Sequence, residues 1–91
     1  MEAREIRTQI KEIIANVAGL DATTIADGAR FEEDLALDSL ALLEIGVDID
    51  YAFKLGVPDD TLRRLRSIPE TVALVEQCLE SAPVAAQAQA G

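Results

Sequence analysis

Histidine and tryptophan are missing from this 91-residue chain, cysteine occurs once, and the aromatics amount to two phenylalanines and one tyrosine. Without histidine there is no Ser-His-Asp or Cys-His arrangement, and the usual general base at neutral pH is gone, so a hydrolytic serine is not expected. A single cysteine forms no internal disulfide and builds no thiolate zinc site. A reducing, cytoplasmic setting is therefore expected, with Cys78 as a small hydrophobe on the last helix. No apolar run approaches the length of a membrane span, so no membrane insertion is expected. Basic charge is scarce as well. Eight Lys and Arg face seventeen Asp and Glu, for a formal net charge of -9, which excludes the basic stripe a nucleic-acid partner requires. Partners should instead be basic. A glycine-rich phosphate loop is lacking, and the carboxylates of "DIDY" and "PDD" do not have the alternate spacing, central glycine and terminal glutamate of a calcium loop.

With few aromatics, the core must come from Ile, Leu, Val and Ala, which suits helices packed into one small domain. Ile6, Ile10, Ile13, Ile14 and Val17 fall on one face of a first helix that Gly19 is placed to end. The stretch from Leu20 to Asp38 holds no sustained period. Its length predicts a functional loop pinned down by Ile25, Phe31, Leu35 and Leu37. A second helix is predicted from about Ser39 to Lys54, closed by Gly56 and Pro58. "PDDTLRRLRS" reads as a short third helical turn, with Leu62 and Leu65 inward. The fourth helix is announced by Ser67 as cap with Glu70 three residues on and Pro69 in its first turn, and it buries Ile68, Val72, Val75 and Leu79. Residues 1–80 are expected to form the domain and 81–91 a flexible tail.

The second helix carries more apolar surface than a core needs. At 100 degrees per residue, Leu42, Ile45, Ile49, Ala52 and Phe53 share a core stripe. Opposite them lie Leu40, Val47 and Tyr51, interleaved with Glu44 and Asp48, and Leu43 sits on the flank. An apolar strip rimmed by acids marks a contact surface. Acid is concentrated around it, with ten carboxylates and only two basic residues between Asp27 and Asp60. Gly46, inside the same helix, points to close packing or local pliancy. At the head of the helix stand Asp38 and Ser39, either of which can serve as N-cap. A cap does not account for the neighbouring strip. An exposed Ser39 hydroxyl that another enzyme modifies does.

"FEEDLALDSLALLEIGVDIDYAF" resembles the phosphopantetheine attachment segment of acyl carrier proteins, whose hallmark is Asp-Ser-Leu at the start of the second helix. Phe31 with its acidic run, Val57-Pro58-Asp59 and the Ile-rich first helix fall where that family places them, so the likeness extends from about Ile6 to Leu79. The resemblance implies an all-α, antiparallel four-helix bundle with a short third helix and a long first loop. It implies 4'-phosphopantetheine on Ser39, transferred from coenzyme A by a separate magnesium-dependent phosphopantetheinyl transferase. It further implies a monomeric, noncatalytic carrier whose partners are acyltransferases, ketosynthases or other acyl-processing enzymes with basic docking surfaces. Asp38 would lie at the transferase's metal site and Leu40 would insert into partner enzymes, while Glu44, Val47 and Asp48 would be read by basic surfaces, with Leu43 and Tyr51 completing the face. Ala36 and Leu37 stand where bacterial fatty-acid carriers have Gly-Ala or Gly-Met, Ala41 where they often have Asp, and Asp50, Tyr51 and Ala52 where they tend to have glutamates. "LALDSL" resembles polyketide or specialised-lipid carriers slightly better than fatty-acid carriers, and peptidyl carriers considerably less, so the resemblance implies acyl carriage as thioesters for fatty acid, polyketide or specialised lipid biosynthesis. The reading from a different class is an acidic helical adaptor that binds a basic protein without any covalent group.

Overall fold

The computed structural model describes the backbone of residues 2–90 and the side chains of residues 2–58 and 60–79. Four α-helices follow in order: α1 (Ala3–Ala18), α2 (Ser39–Phe53), α3 (Asp59–Arg63) and α4 (Ile68–Ala90), with a 3-10 turn over Ala22–Thr24. The fold is all-α, as expected. The predicted boundary at 80 and the tail 81–91 fall outside the residues whose side chains are described.

α1 is the element on which α2 and α4 both pack. Its face presents Ile6, Ile10 and Ile14, all fully buried, because residues three and four apart stack on one side of a helix. They join Ile45, Ile49 and Phe53 of α2 and Ile68, Val72 and Val75 of α4 in a single cluster, with Ile13, Val17 and Leu79 at its edge. Two members of the predicted α2 stripe behave differently: Ala52 is exposed and Leu42 only half-buried. Ala52 lies at the angular edge of the stripe, whereas Phe53, one residue later and nearer the centre of the buried face, stays buried. Thr71, a buried residue that apolar periodicity does not mark, is tolerated because its hydroxyl donates to the Ser67 carbonyl at 2.9 Å, leaving no buried polar group unpaired.

The helix ends are made as the physics of free backbone groups requires. Gly19 closes α1 in the left-handed conformation, φ 70°. At the end of α2 the left-handed residue is Lys54, φ 53°, not Gly56. Gly56, itself at φ 66°, comes two residues later and donates its N–H to the Asp50 carboxylate at 2.9 Å. At α4, the Ser67 hydroxyl accepts the Glu70 N–H at 3.3 Å and donates at 3.2 Å to the Glu70 carboxylate, which also accepts the Arg66 N–H, so Ser67 and Glu70 cap the helix start together, as read from the sequence.

The long first loop is held at both levels. Ile25, Phe31 and Leu37 are buried in the core and Leu35 is half-buried, and Ala29 is buried with them. The backbone adds a short antiparallel bridge between Arg30 and Ser67. Phe31 N–H donates to the Arg66 carbonyl at 2.8 Å and Ile68 N–H to the Ala29 carbonyl at 3.0 Å, so the loop is tied to the α3–α4 junction.

The rotation of α2 is testable by truncation. Ile49→Ala, which opens a cavity in the cluster, should cost about 2–5 kcal/mol, whereas Val47→Ala on the outer face should cost under about 1 kcal/mol. Urea denaturation midpoints read both, and equal losses would place the buried face elsewhere.

Candidate functional site

Ser39 is the first residue of α2 and is exposed. Which of the two candidates caps the helix is settled by geometry: the Asp38 carboxylate accepts the Ala41 N–H at 2.8 Å. Ser39 is thereby relieved of the capping role, and no hydrogen bond engages its hydroxyl among the described residues. An acceptor-only carboxylate is the stronger cap for an N–H, which leaves the neighbouring hydroxyl available to chemistry from outside.

That hydroxyl borders an open groove of about 420 Å³ between α2 and α3, walled by Leu42, Leu43, Val47 and Leu62 and rimmed by Glu32, Arg63 and Arg66. The half-burial of Leu42 follows from this: it forms the groove wall rather than the sealed core. The approach of α3 to α2 is set by Gly46. A Cβ built there would lie 3.2 Å from Leu62 Cβ, so the missing side chain is what lets α3 sit close to α2, and of the two sequence readings close packing is the one the structure supports. The rest of the outer face is open: Tyr51 is 84% exposed, Leu40 64%, Val47 49% and Leu43 43%. Ser39, Leu43 and Val47 therefore line the groove, while Leu40, Glu44, Asp48 and Tyr51 form an exposed strip beside it.

Electrostatics divide the acids into two groups. Asp27 is engaged by Lys11 and Arg7, and Glu33 and Asp34 by Arg30. The hydrogen bond from Lys11, reinforced by its charge, holds the Asp27 carboxyl below the usual carboxylate value, and hydrogen bonds from the Arg30 side chain and backbone do the same for Asp34. Because these values are depressed in the folded protein, the ion pairs contribute at neutral pH, and the contribution fades as acid takes the pH down through them. Glu44 and Asp48 have no cationic partner among the described residues. Cys78 is free and half-buried rather than buried, and desolvation, with the nearby Asp50 charge, pushes its thiol up. At neutral pH it is a protonated, inert thiol.

Arg63, Arg66 and Glu32 are groove residues that periodicity and motif reading did not mark, while Leu62, expected to point inward, is buried and also walls the groove. The signal available was the crowding of three arginines into "RRLR", in a chain with eight basic residues in all.

Comparison with known proteins bears on what the exposed serine serves. Residues 8–75 match the family described as phosphopantetheine attachment site. The meromycolate extension acyl carrier protein of Mycobacterium tuberculosis (strain ATCC 25618 / H37Rv) is 37% identical over 84 residues, covering 92% of this chain and 73% of that protein. The acyl carrier protein of Rubrobacter xylanophilus is 35% identical over 75 residues, 82% of this chain and 93% of the relative. That of Onion yellows phytoplasma is 39% identical over 64 residues, 70% and 84% respectively. The chain belongs to the acyl carrier protein family.

Acyl carrier proteins are carriers rather than catalysts. Their covalent cofactor is 4'-phosphopantetheine, and the family works with a phosphopantetheinyl transferase and with acyl-processing enzymes. The residues here fit that group: an unengaged hydroxyl opens directly on a groove with apolar walls and a cationic rim, suited to an arm that begins in a phosphodiester and continues into less polar chain. Among the described residues no helix is long and apolar enough to cross a membrane.

The departure at Ala36 acquires a physical meaning. Ala36 has φ 53° and its N–H donates to the Glu32 carbonyl at 3.1 Å, a left-handed stop that ends the turn before Asp38 and that glycine adopts without steric cost. An L-residue there carries about 1–2 kcal/mol of strain.

Two stability predictions follow from this local architecture. Ala36→Gly should stabilise the acyl carrier protein by about 0.5–1 kcal/mol, the strain relieved being partly offset by the greater freedom of glycine in the unfolded chain. Asp38→Ala, which removes the cap, should cost about 0.5–2 kcal/mol, while Ser39→Ala should stay within about 0.5 kcal/mol of wild type. Chemical denaturation monitored by circular dichroism measures all three, and a Ser39→Ala loss as large as that of Asp38→Ala would reverse the capping assignment.

Proposed function

We propose that Ser39 bears the 4'-phosphopantetheine and that Leu40, Leu43, Glu44, Val47, Asp48 and Tyr51 are the face that loading and acyl-processing enzymes dock on, with Asp38 at the transferase's metal site. The observation that carries this reading is the exposed Ser39 hydroxyl, free of capping duty, at the head of a helix whose outer face is apolar and acid-rimmed. When bound, the group supplies a thiol on a flexible arm that holds an acyl chain as a thioester and presents it to each enzyme at high effective concentration. The chain's own residues do the rest. Asp38 fixes the first turn of α2 and so holds the Ser39 Oγ outward. Glu44 and Asp48 steer basic partners, and Leu40, Val47 and Tyr51 give the encounter apolar area to bury.

The pathway we favour is acyl-chain extension in specialised lipid or polyketide biosynthesis rather than housekeeping fatty acid synthesis. Ala36-Leu37 before Asp-Ser and the less acidic end of α2 support this, as do the names of the meromycolate extension relatives. Ketosynthases and acyltransferases with basic docking surfaces are the corresponding partners. Our reading is of a cytoplasmic monomer, with residues 1–80 as the folding unit and 81–91 as a tail. An acidic adaptor would need neither Ser39 nor Asp38.

Incubation with coenzyme A, magnesium and a broad-specificity phosphopantetheinyl transferase, followed by intact mass and peptide mapping, should show one added group on Ser39 and none in Ser39→Ala. Addition elsewhere, or none, would refute the assignment. Docking is read separately from the loading rate. Glu44→Lys should slow loading by roughly tenfold at low salt, because complementary charge accelerates encounter by at least that order. Near 1 M salt, where the screening length is about 3 Å, the wild-type rate should fall toward the mutant's. Glu76→Lys on α4 controls for net charge, and equal slowing by the two would remove the outer face of α2 from the docking role.

A further inference from the structure

Four of the chain's eight basic residues, Arg4, Arg7, Lys11 and Arg30, are paired with carboxylates. Arg63, Arg64 and Arg66 are exposed and have no ion pair with a described carboxylate. In a protein of net charge -9, a group of arginines left without acidic partners marks a place where an anion is expected. Two of the three, Arg63 and Arg66, line the same groove as Ser39.

Their placement is firm at the backbone. Arg66 is anchored on both sides: its carbonyl accepts from Phe31 N–H at 2.8 Å and its N–H donates to the Glu70 carboxylate at 3.2 Å. Arg63 sits in the last turn of α3, which is held in the core by the buried Leu62 packed over Gly46. Arg64, at the C-cap of α3, is absent from the groove lining. The one carboxylate along that lining, Glu32, forms no ion pair with either groove arginine.

We propose that Arg63 and Arg66 bind the phosphodiester of the phosphopantetheine arm and so seat the start of the arm in the α2–α3 groove. This rests on the assignment of the arm to Ser39. The phosphate is bonded directly to Ser39 Oγ, so it must lie at the mouth of this groove whatever the rest of the arm does. A phosphodiester keeps its single negative charge throughout the physiological pH range. The planar guanidinium offers paired N–H donors that match two phosphate oxygens. Loading would thus convert a net-positive corner into a satisfied one, and the arm would be biased along the apolar wall instead of out into solvent.

The test uses the full chain before and after loading, with mass spectrometry establishing that the group is on Ser39. Arginine side-chain Nε–H resonances are then compared between the two forms. Those of Arg63 and Arg66 should shift and become protected from exchange on loading, while that of Arg64 stays in place. The ³¹P resonance of the loaded protein should move toward the value of the same serine phosphodiester in a short, unstructured loaded peptide in 1 M salt and in Arg63→Gln/Arg66→Gln, but not in Arg64→Gln. Loading at Ser39 with the Arg63 and Arg66 signals unmoved would overturn this proposal and leave the Ser39 assignment standing, returning the arginines to an acidic partner protein. Failure to load at Ser39 would overturn both. The comparison of wild-type forms needs no variant, so a misfolded mutant does not blunt it.

Discussion

Ile6, Ile10 and Ile14 on one side, and Ile45, Ile49 and Phe53 on the other, leave water together, and that contact decides which way α2 faces. An aliphatic cluster has no directional bonds of its own. Orientation comes from the register of apolar residues on each helix, and a rotation of α2 by one residue would carry Glu44 or Asp48 toward the interior at a prohibitive cost of burying charge. Burial of one face therefore fixes the exposure of the other. The groove beside Ser39 and the acid-rimmed strip are consequences of the same constraint.

The first loop is the second requirement. It delivers Asp38 to the start of α2 only because its own side chains are buried and because the Arg30–Ser67 bridge fastens it to the junction of α3 and α4. The same bridge positions Arg66, so a single backbone tie locates the cap of one helix and the cationic rim of the groove. Left-handed residues at Gly19 and Lys54 close α1 and α2, and a third at Ala36 ends the turn before Asp38. Only one of these three is glycine. The other two positions accept strain in an otherwise ordinary fold.

Much of this was legible in the residues. The Ile ladder of α1, the Ser67–Glu70 capping pair and the two-faced character of α2 follow from period and spacing, which report on local geometry. The segment around Asp38-Ser39-Leu40 was recognisable because a functional motif stands on a helix start of predictable form. What escaped was long-range or conformational. No local pattern shows that Ala29 pairs with Ile68 across the chain, or that Lys54 rather than Gly56 adopts the left-handed stop. Ala52 looked buried because a helical wheel marks an arc without showing how much of its edge the neighbouring helices cover. The choice between Asp38 and Ser39 as cap was open because both residue types cap well, and only the position of the carboxylate decides. The groove arginines were missed because a short helix has too few residues to show a face.

The Arg30–Ser67 bridge also divides the molecule by how readily its parts come apart. On one side of the tie, α1, α2 and the start of α4 share one cluster of buried side chains. Residues 55–65, carrying α3, are held at their two ends and by little besides Leu62 in between. Segments with few buried contacts are where local opening costs least. The α1–α2 contact and the Asp38 cap do not involve α3, so the α3 wall of the groove and the α1–α2 core are built from different residues.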